Sequence, residues 1–293
     1  MKNSAINTVG LFGKFRGDGV GTHLVRLARF LKDRGLKVVV DDSSARDLPE
    51  PIGASMPLAR IGAEIDLAIA IGGDGTLLHI ARALAEHAVP VIGVNQGRLG
   101  FLTDIPLVDM EREVGRILDG KFQSEHRLLL HAEVHRNGQV LHADRALNDV
   151  IIAKGEVARL IEYETYIGEQ FVNSARGDGI IIASPTGSTA YAMSAGGPIL
   201  HPSLPALVLV PICPHTLSNR PIVVSADSVV HIVVVGLLPG QAHVTLDGQI
   251  NYNLLDGDRI YVRRAQHSVE LLHPLQRSHY DVLREKLGWG TKY

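Results

Sequence analysis

Five short segments of this chain carry residue types that could do chemistry together. The first is Ile71-Gly-Gly-Asp-Gly-Thr76, between a strand-like run and a helix-like run. Gly72 and Gly73 let backbone N–H groups approach an anion, and Thr76 adds a hydroxyl at the start of the helix, whose dipole favours negative charge. Asp74 is out of place in a loop that only cradles phosphate. It makes sense as the acceptor of a proton from an attacking hydroxyl, or as a metal ligand. The second segment, 95–104, also follows a strand, and its glycines and Phe101 suit the wall of a nucleobase or ribose site. The third is Asn148-Asp149, an amide beside a carboxylate, which together offer donors and acceptors. The fourth runs from Arg176 through Gly-Asp-Gly and Ser184-Pro-Thr-Gly-Ser-Thr-Ala-Tyr191 to Gly197-Pro198. Its hydroxyls and small residues bend tightly and present donors to a polar ligand. The fifth, Asp247-Gly-Gln249, reads alone as a hairpin turn.

The elements that must position these segments alternate at first between strand and helix. Apolar runs at 6–12, 36–40, 65–71 and 89–94 are separated by helical patterns at 20–34 and 75–87, and 107–120 closes the series before Gly120. Strands separated by helices pair in parallel, with right-handed crossovers. From about residue 126 the period changes to two. Asn137-Gly138 and Gly168-Glu169 are hairpin turns, and further strands are expected at 178–183, 206–212, 228–235, 242–247 and 258–263. Residues 279–287 are helical again. The fold class is therefore an α/β N-terminal domain with a parallel sheet, followed by a mostly antiparallel β domain of layered, sandwich type. The expected division is 1–125, with the tail 274–293 packing back on it, and 126–273.

Composition narrows the class. The chain has 293 residues, 29 Lys+Arg against 31 Asp+Glu, and one cysteine. The balanced charge argues against nucleic acid as a partner, and the lone Cys213 excludes an internal disulfide and a cysteine-built zinc site. Cys213 sits in an apolar, proline-flanked run and is expected to be an inert core thiol. No apolar stretch is long enough to span a bilayer as a helix, and the first twenty residues lack a signal-peptide core, so a cytoplasmic protein without a membrane partner is expected. No Walker A string, G-x-G-x-x-G or H-E-x-x-H occurs.

Taken together, the ordered segments GGDGT, N-x-G-x-x-G-F-L, Asn-acid, GDG…TGSTAY, GGP and DGQ resemble the bacterial NAD kinases, from about Val9 to the end of the chain. GGDGT alone is shared with lipid kinases; the long 177–198 segment is the specific one. The resemblance implies transfer of the γ-phosphate of ATP, with Mg²⁺, to the 2′-hydroxyl of the adenosine ribose of NAD, at a site between two domains. A lipid or small-molecule kinase and a non-catalytic NAD-binding regulator are the competing readings. By matched positions, Asp74 is the catalytic aspartate and Gly75 a neighbouring ligand contact. Phe101 lies near the adenine, and Asn148 and Asp149 hold a ribose. Asp178 is an acid near the nicotinamide end; Thr189, Ala190, Tyr191 and Ser194 face adenine and ribose. Arg159, Arg176 and Gln249 complete the NAD-binding set. The acid after Asn148 is commonly Glu; Asp149 is one methylene shorter. No metal ligand is assigned within the protein, and a homodimer or homotetramer is implied.

Overall fold

The computed structural model describes residues 6–14, 19–97, 99–155 and 159–290. It divides into two compact units, one formed by residues 1–126 and 269–293 and the other by 127–268.

In the first unit the strands Thr8–Gly13, Lys37–Asp41, Ala54–Met56, Leu67–Gly72 and Val91–Asn95 form a parallel sheet. Thr8–Gly13 lies between Lys37–Asp41 and Leu67–Gly72, and Val91–Asn95 follows on the Leu67–Gly72 side. Leu67–Gly72 is buried along its whole length because helices cover both faces of such a sheet. The helix Val20–Asp33 turns Val20, Leu24, Leu27, Ala28 and Leu31 inward, the apolar face that its spacing predicts. The helix Met110–Leu118 contributes Met110, Val114 and Ile117 to the same core. The C-terminal helix His279–Leu287 starts in a capping box: Ser278 accepts from the Asp281 N–H, and Asp281 accepts from the Ser278 N–H. Among the described residues no helix is long and apolar enough to cross a membrane.

The second unit packs two sheets. One is six-stranded and antiparallel, in the order Ile222–Ser225, Ala206–Ile212, Gly179–Ala183, Asp149–Lys154, Ala242–Leu246, Ile250–Leu254. The other contains Gln170–Gly177, Ile161–Ile167, Val230–Val235 and residues 259–268 of the strand Arg259–Pro274, with antiparallel pairing between successive members. The hairpin of Phe122–Arg136 and Gln139–Ala146 belongs to it as well. Alternate residues of both sheets, among them Val134, Ile152, Tyr163, Ile180, Ile232 and Val244, fill the space between them. Ile181 and Ala183 point the other way, into a smaller cluster with Ala192, Val208 and Val210. That double coverage is why 180–183 reads as an unbroken apolar run.

Two local expectations change. The last strand runs on to Pro274, well past 263. Cys213 is not a core thiol: the strand ends at Ile212, the chain turns with a φ of 44° at Cys213, and the residue is exposed.

One buried ion pair carries an expectation for stability. Asp258 is fully buried, and Arg136 grips it with two hydrogen bonds of 2.7 Å. A buried carboxylate stripped of its partner costs about 3–5 kcal/mol. Arg136→Met should therefore destabilise the protein by that amount in urea denaturation. A change below about 1 kcal/mol would mean that Asp258 reaches water when the arginine is gone.

Candidate functional site

The strand Leu67–Gly72 ends at its C-terminal edge, Gly73 turns the chain, and Asp74 is the first residue of the helix Asp74–Leu84. Gly72, Gly73, Asp74, Gly75 and Thr76 are thus brought to one strand-to-helix corner, where parallel sheets bind ligands. Gly75 is exposed, and Asp74 and Thr76 are partly exposed.

The neighbouring strand Val91–Asn95 delivers the second loop onto Asp74. The carboxylate accepts hydrogen bonds from the Phe101 N–H at Oδ2 (2.8 Å), and from the Leu102 and Thr103 N–H groups at Oδ1 (3.1 Å each). The Thr103 hydroxyl donates to Oδ1 as well (3.0 Å). A carboxylate offers about four acceptor positions. Oδ1 is saturated, and among the described residues Oδ2 receives only the Phe101 N–H, which leaves it an acceptor direction. Asn95 steadies the same loop: its Nδ2 donates to the Thr103 hydroxyl (2.9 Å), and its Oδ1 accepts from the Gly97 N–H (2.7 Å). Phe101 is half-buried, with the Lys286 ammonium 5.4 Å from its ring centre.

Gly100 is where this loop passes the carboxylate. A methyl group there would overlap Asp74 Oδ1 and Thr103 Oγ1. Gly100→Ala must therefore push the N–H donors off Asp74, and turnover should fall by about a hundredfold, the scale of a misplaced reacting group. An unchanged kcat in steady-state kinetics would show that Asp74 works without this cradle.

In the second unit, Asn148 and Asp149 stand where Asp149–Lys154 begins. Asp247, at the hairpin turn between Ala242–Leu246 and Ile250–Leu254, accepts from the N–H groups of Leu147 (3.0 Å), Asn148 (2.8 Å) and Asp149 (3.3 Å). Its own N–H donates to the Asp149 carbonyl (3.0 Å). Burial first, and the Asp247 carboxylate second, push the Asp149 carboxyl up to about 7. The sequence gives a site role in this segment only to Gln249, which is exposed, and reads Asp247 as part of a turn, without its role as an anchor. An aspartate at a positive-φ turn position (φ 51°) reads as a turn former, and the backbone it caps lies about a hundred residues away.

The hydroxyl-rich turn is largely self-satisfied, which corrects its reading as a row of donors to a ligand. Ser184 donates to the Leu147 carbonyl (2.5 Å), Ser188 to the Pro185 carbonyl (2.6 Å) and Thr189 to the Thr186 carbonyl (3.1 Å). Arg127 donates to the Thr186 hydroxyl (3.4 Å). These bonds seat the turn against Asn148, so closely that a methyl group at Gly187 would overlap the Asn148 carbonyl. What remains outward is Tyr191 and Ser194 on one short helical turn, Tyr191–Ser194, preceded by the partly exposed Ala190; Thr189 is nearly buried.

Not every candidate gathers there. Ala183 pairs with Asp149, but Gly179 pairs with Ala153, so Asp178 lies about 17 Å along the strand from Asp149. At that end Lys154 holds Asp178 (2.7 Å). Arg159 and Arg176, with Glu162 and Gln241, line part of a separate cleft of about 520 Å³. The second unit therefore offers two polar regions at opposite ends of one strand pair.

Comparison with known proteins agrees with these features. Residues 9–122 match the family model for the ATP-NAD kinase N-terminal domain, and residues 147–274 match that for the ATP-NAD kinase C-terminal domain. The chain is 47% identical over 288 residues to the NAD kinase of Nitrosospira multiformis, covering 98% of this chain and 97% of that one. It is 48% identical over 286 residues to the NAD kinase of Shewanella oneidensis, covering 98% of each. Its fold is similar to that of yeast NADH kinase complexed with NADH (TM-score 0.92, 24% identity, 99% of this chain and 90% of that one). It is also similar to that of an NAD kinase from Archaeoglobus fulgidus in complex with ATP (TM-score 0.75, 24% identity, 95% and 99%).

Proposed function

The chain belongs to the ATP-NAD kinase family, and on that premise we propose how its residues divide the transfer of the γ-phosphate of ATP to the adenosine-ribose 2′-hydroxyl of NAD. Asp74 accepts the proton of the attacking hydroxyl at Oδ2. The observation that carries this is the cradle: three N–H groups and a hydroxyl fix the carboxylate and leave Oδ2 an open acceptor direction. A fixed acceptor aligns the hydroxyl with the phosphorus, and phosphoryl transfer depends chiefly on such positioning and on charge neutralisation.

Gly72, Gly73, Gly75 and Thr76 receive the phosphates at the helix N-terminus. In the second unit, Asn148 and Asp149 hold a ribose, while Ala190, Tyr191 and Ser194 flank the adenosine with Thr189 behind them. Phe101 stacks near the adenine, and Gln249 contributes from the turn that Asp247 anchors. Asp178, Arg176 and Arg159 serve the far end of the dinucleotide, where Arg159 and Arg176 supply positive charge.

Among the described residues no three His, Cys, Asp or Glu side chains converge as ligands for an ion. A divalent cation such as Mg²⁺ would arrive on the triphosphate, with Asp74 the carboxylate of the phosphate-facing loop. Such a cation neutralises charge on the phosphates during transfer.

A homo-oligomer, dimeric or tetrameric, is part of this reading. Gln170–Gly177 is an edge strand of the second unit, and its Phe171 is half exposed, a combination that favours covering by another subunit. The reaction needs ATP and NAD together, which supports a cytoplasmic site of action.

The test is a coupled assay in which NADP formed from NAD, ATP and Mg²⁺ is detected by an NADP-specific dehydrogenase. NADP formation that requires Asp74 supports the assignment. Formation of NADP at the wild-type rate without Asp74 removes it. Sedimentation of the purified protein reads the oligomer.

A further inference from the structure

The donors that hold Asp74 sit in a loop with glycines at 97 and 100, and such a loop does not hold a register by itself. Asn95 secures its leading end. Its trailing end is Asp104, directly after the last donor, and Asp104 is buried. Two residues from the C-terminal tail close on it. His273 Nδ1 lies 2.9 Å from Asp104 Oδ2, and Arg277 Nη1 donates to the Asp104 carbonyl (3.0 Å). His273 is itself buried, with Nε2 3.4 Å from a Glu125 carboxylate oxygen. Arg277 also reaches Glu285 on the terminal helix (3.0 Å). His273 belongs to the strand Arg259–Pro274, whose Leu271 pairs with Val91 at the start of the strand that feeds the loop.

We propose that His273 and Arg277 are positioning residues for phosphoryl transfer: by clamping Asp104, they hold the Phe101–Thr103 donors against the Asp74 carboxylate. The inference rests on the reading of Asp74 as proton acceptor. A buried carboxylate paired with a histidine is a costly way to tie down a loop compared with apolar packing. It does fix a hydrogen-bonding direction, which apolar packing does not. Three N–H groups converging on one side chain need that direction, because a slip of about 1 Å at a reacting group can cost about a hundredfold in rate.

The experiment compares steady-state kinetics and thermal melts of the full chain as wild type, His273→Ala, His273→Asn, Asp74→Asn and the double variant Asp74→Asn/His273→Ala. Asn places an amide where the histidine Nδ1 stands. His273→Ala should lose about ten- to a hundredfold in kcat, with KM for NAD and ATP within about twofold. His273→Asn should recover most of that loss. In the Asp74→Asn background His273→Ala should change kcat by less than about twofold, since the group it positions is already gone. A folded His273→Ala with wild-type kcat, or losses that multiply in the double variant, overturns the proposal while leaving Asp74 in place. Near-wild-type turnover by Asp74→Asn overturns the underlying reading instead. If His273→Ala does not fold, Arg277→Met tests the same clamp from the other side and should show the same kcat-selective loss; wild-type kcat there overturns the proposal.

Discussion

Asp74→Asn should lower NADP formation by about 10²–10⁴-fold, the usual worth of a positioned proton acceptor. The cradle makes the details specific. Oδ1 takes three donors and Oδ2 takes one. An asparagine will keep its oxygen toward the three and turn its amide toward the Phe101 N–H, so that two donors face each other. A misdirected donor of this kind costs about 1–3 kcal/mol, so a modest fall in melting temperature should accompany the loss of turnover. The affinity for NAD, measured by calorimetry, should change little, because the assigned NAD contacts lie mainly in the second unit. A loss that is partly restored at high Mg²⁺ would reassign Oδ2 to the cation. Turnover within a few-fold of wild type would remove Asp74 from the proton transfer.

The second large effect concerns Asp149, whose carboxyl is pushed up to about 7 by burial and then by the Asp247 carboxylate. The native state therefore holds a proton that the unfolded chain gives up near the ordinary aspartate value. The sign follows from proton linkage. This group costs nothing below about pH 4, and its cost to stability grows as pH rises through 7, reaching about 4 kcal/mol above it. Ligand-free Asp149→Asn removes that cost and should be the more stable protein at pH 8, by several degrees in melting temperature, with no advantage near pH 4. Function should move the opposite way. If the ionised carboxylate receives a ribose hydroxyl, its loss is that of a hydrogen bond to a charged group, and KM for NAD should rise at least tenfold. Parallel melting curves for the two proteins between pH 4 and pH 8 would show that Asp149 is not held protonated. A wild-type KM in the variant would take Asp149 out of the NAD site.

Much of the architecture was visible in the order of the residues, because it rests on local rules. The apolar face of Val20–Asp33 follows from helical spacing, and the hairpin at Asn137-Gly138 follows from two residues that tolerate positive φ, found at 52° and 77°. The corner at Gly72–Asp74 is likewise written in a strand pattern, two glycines and a helix pattern. Other features had no local signature. Cys213 sits one residue beyond a buried strand, and composition does not say where a strand stops. The run at 184–189 looked like an array of donors, yet most of its hydroxyls are taken up by carbonyls of the turn and of Leu147.

The residue types at Asp74, Asn148, Asp149 and the glycine-rich turns, together with the alternation of elements that carries them, are properties of the chain by itself. Nearest-neighbour stereochemistry and burial periodicity act over a few residues, and both can be read along a line. Which atom of Asp74 stays open, what holds Asn148 and Asp149 in register, and what fixes the loop after Gly100 were decided only by the tertiary structure. Asp247 meets Asn148 across 99 residues, and His273 meets Asp104 across 169. Hydrogen bonds between groups that far apart depend on how the sheets bring chain ends together, and nothing in the identity of either partner names the other.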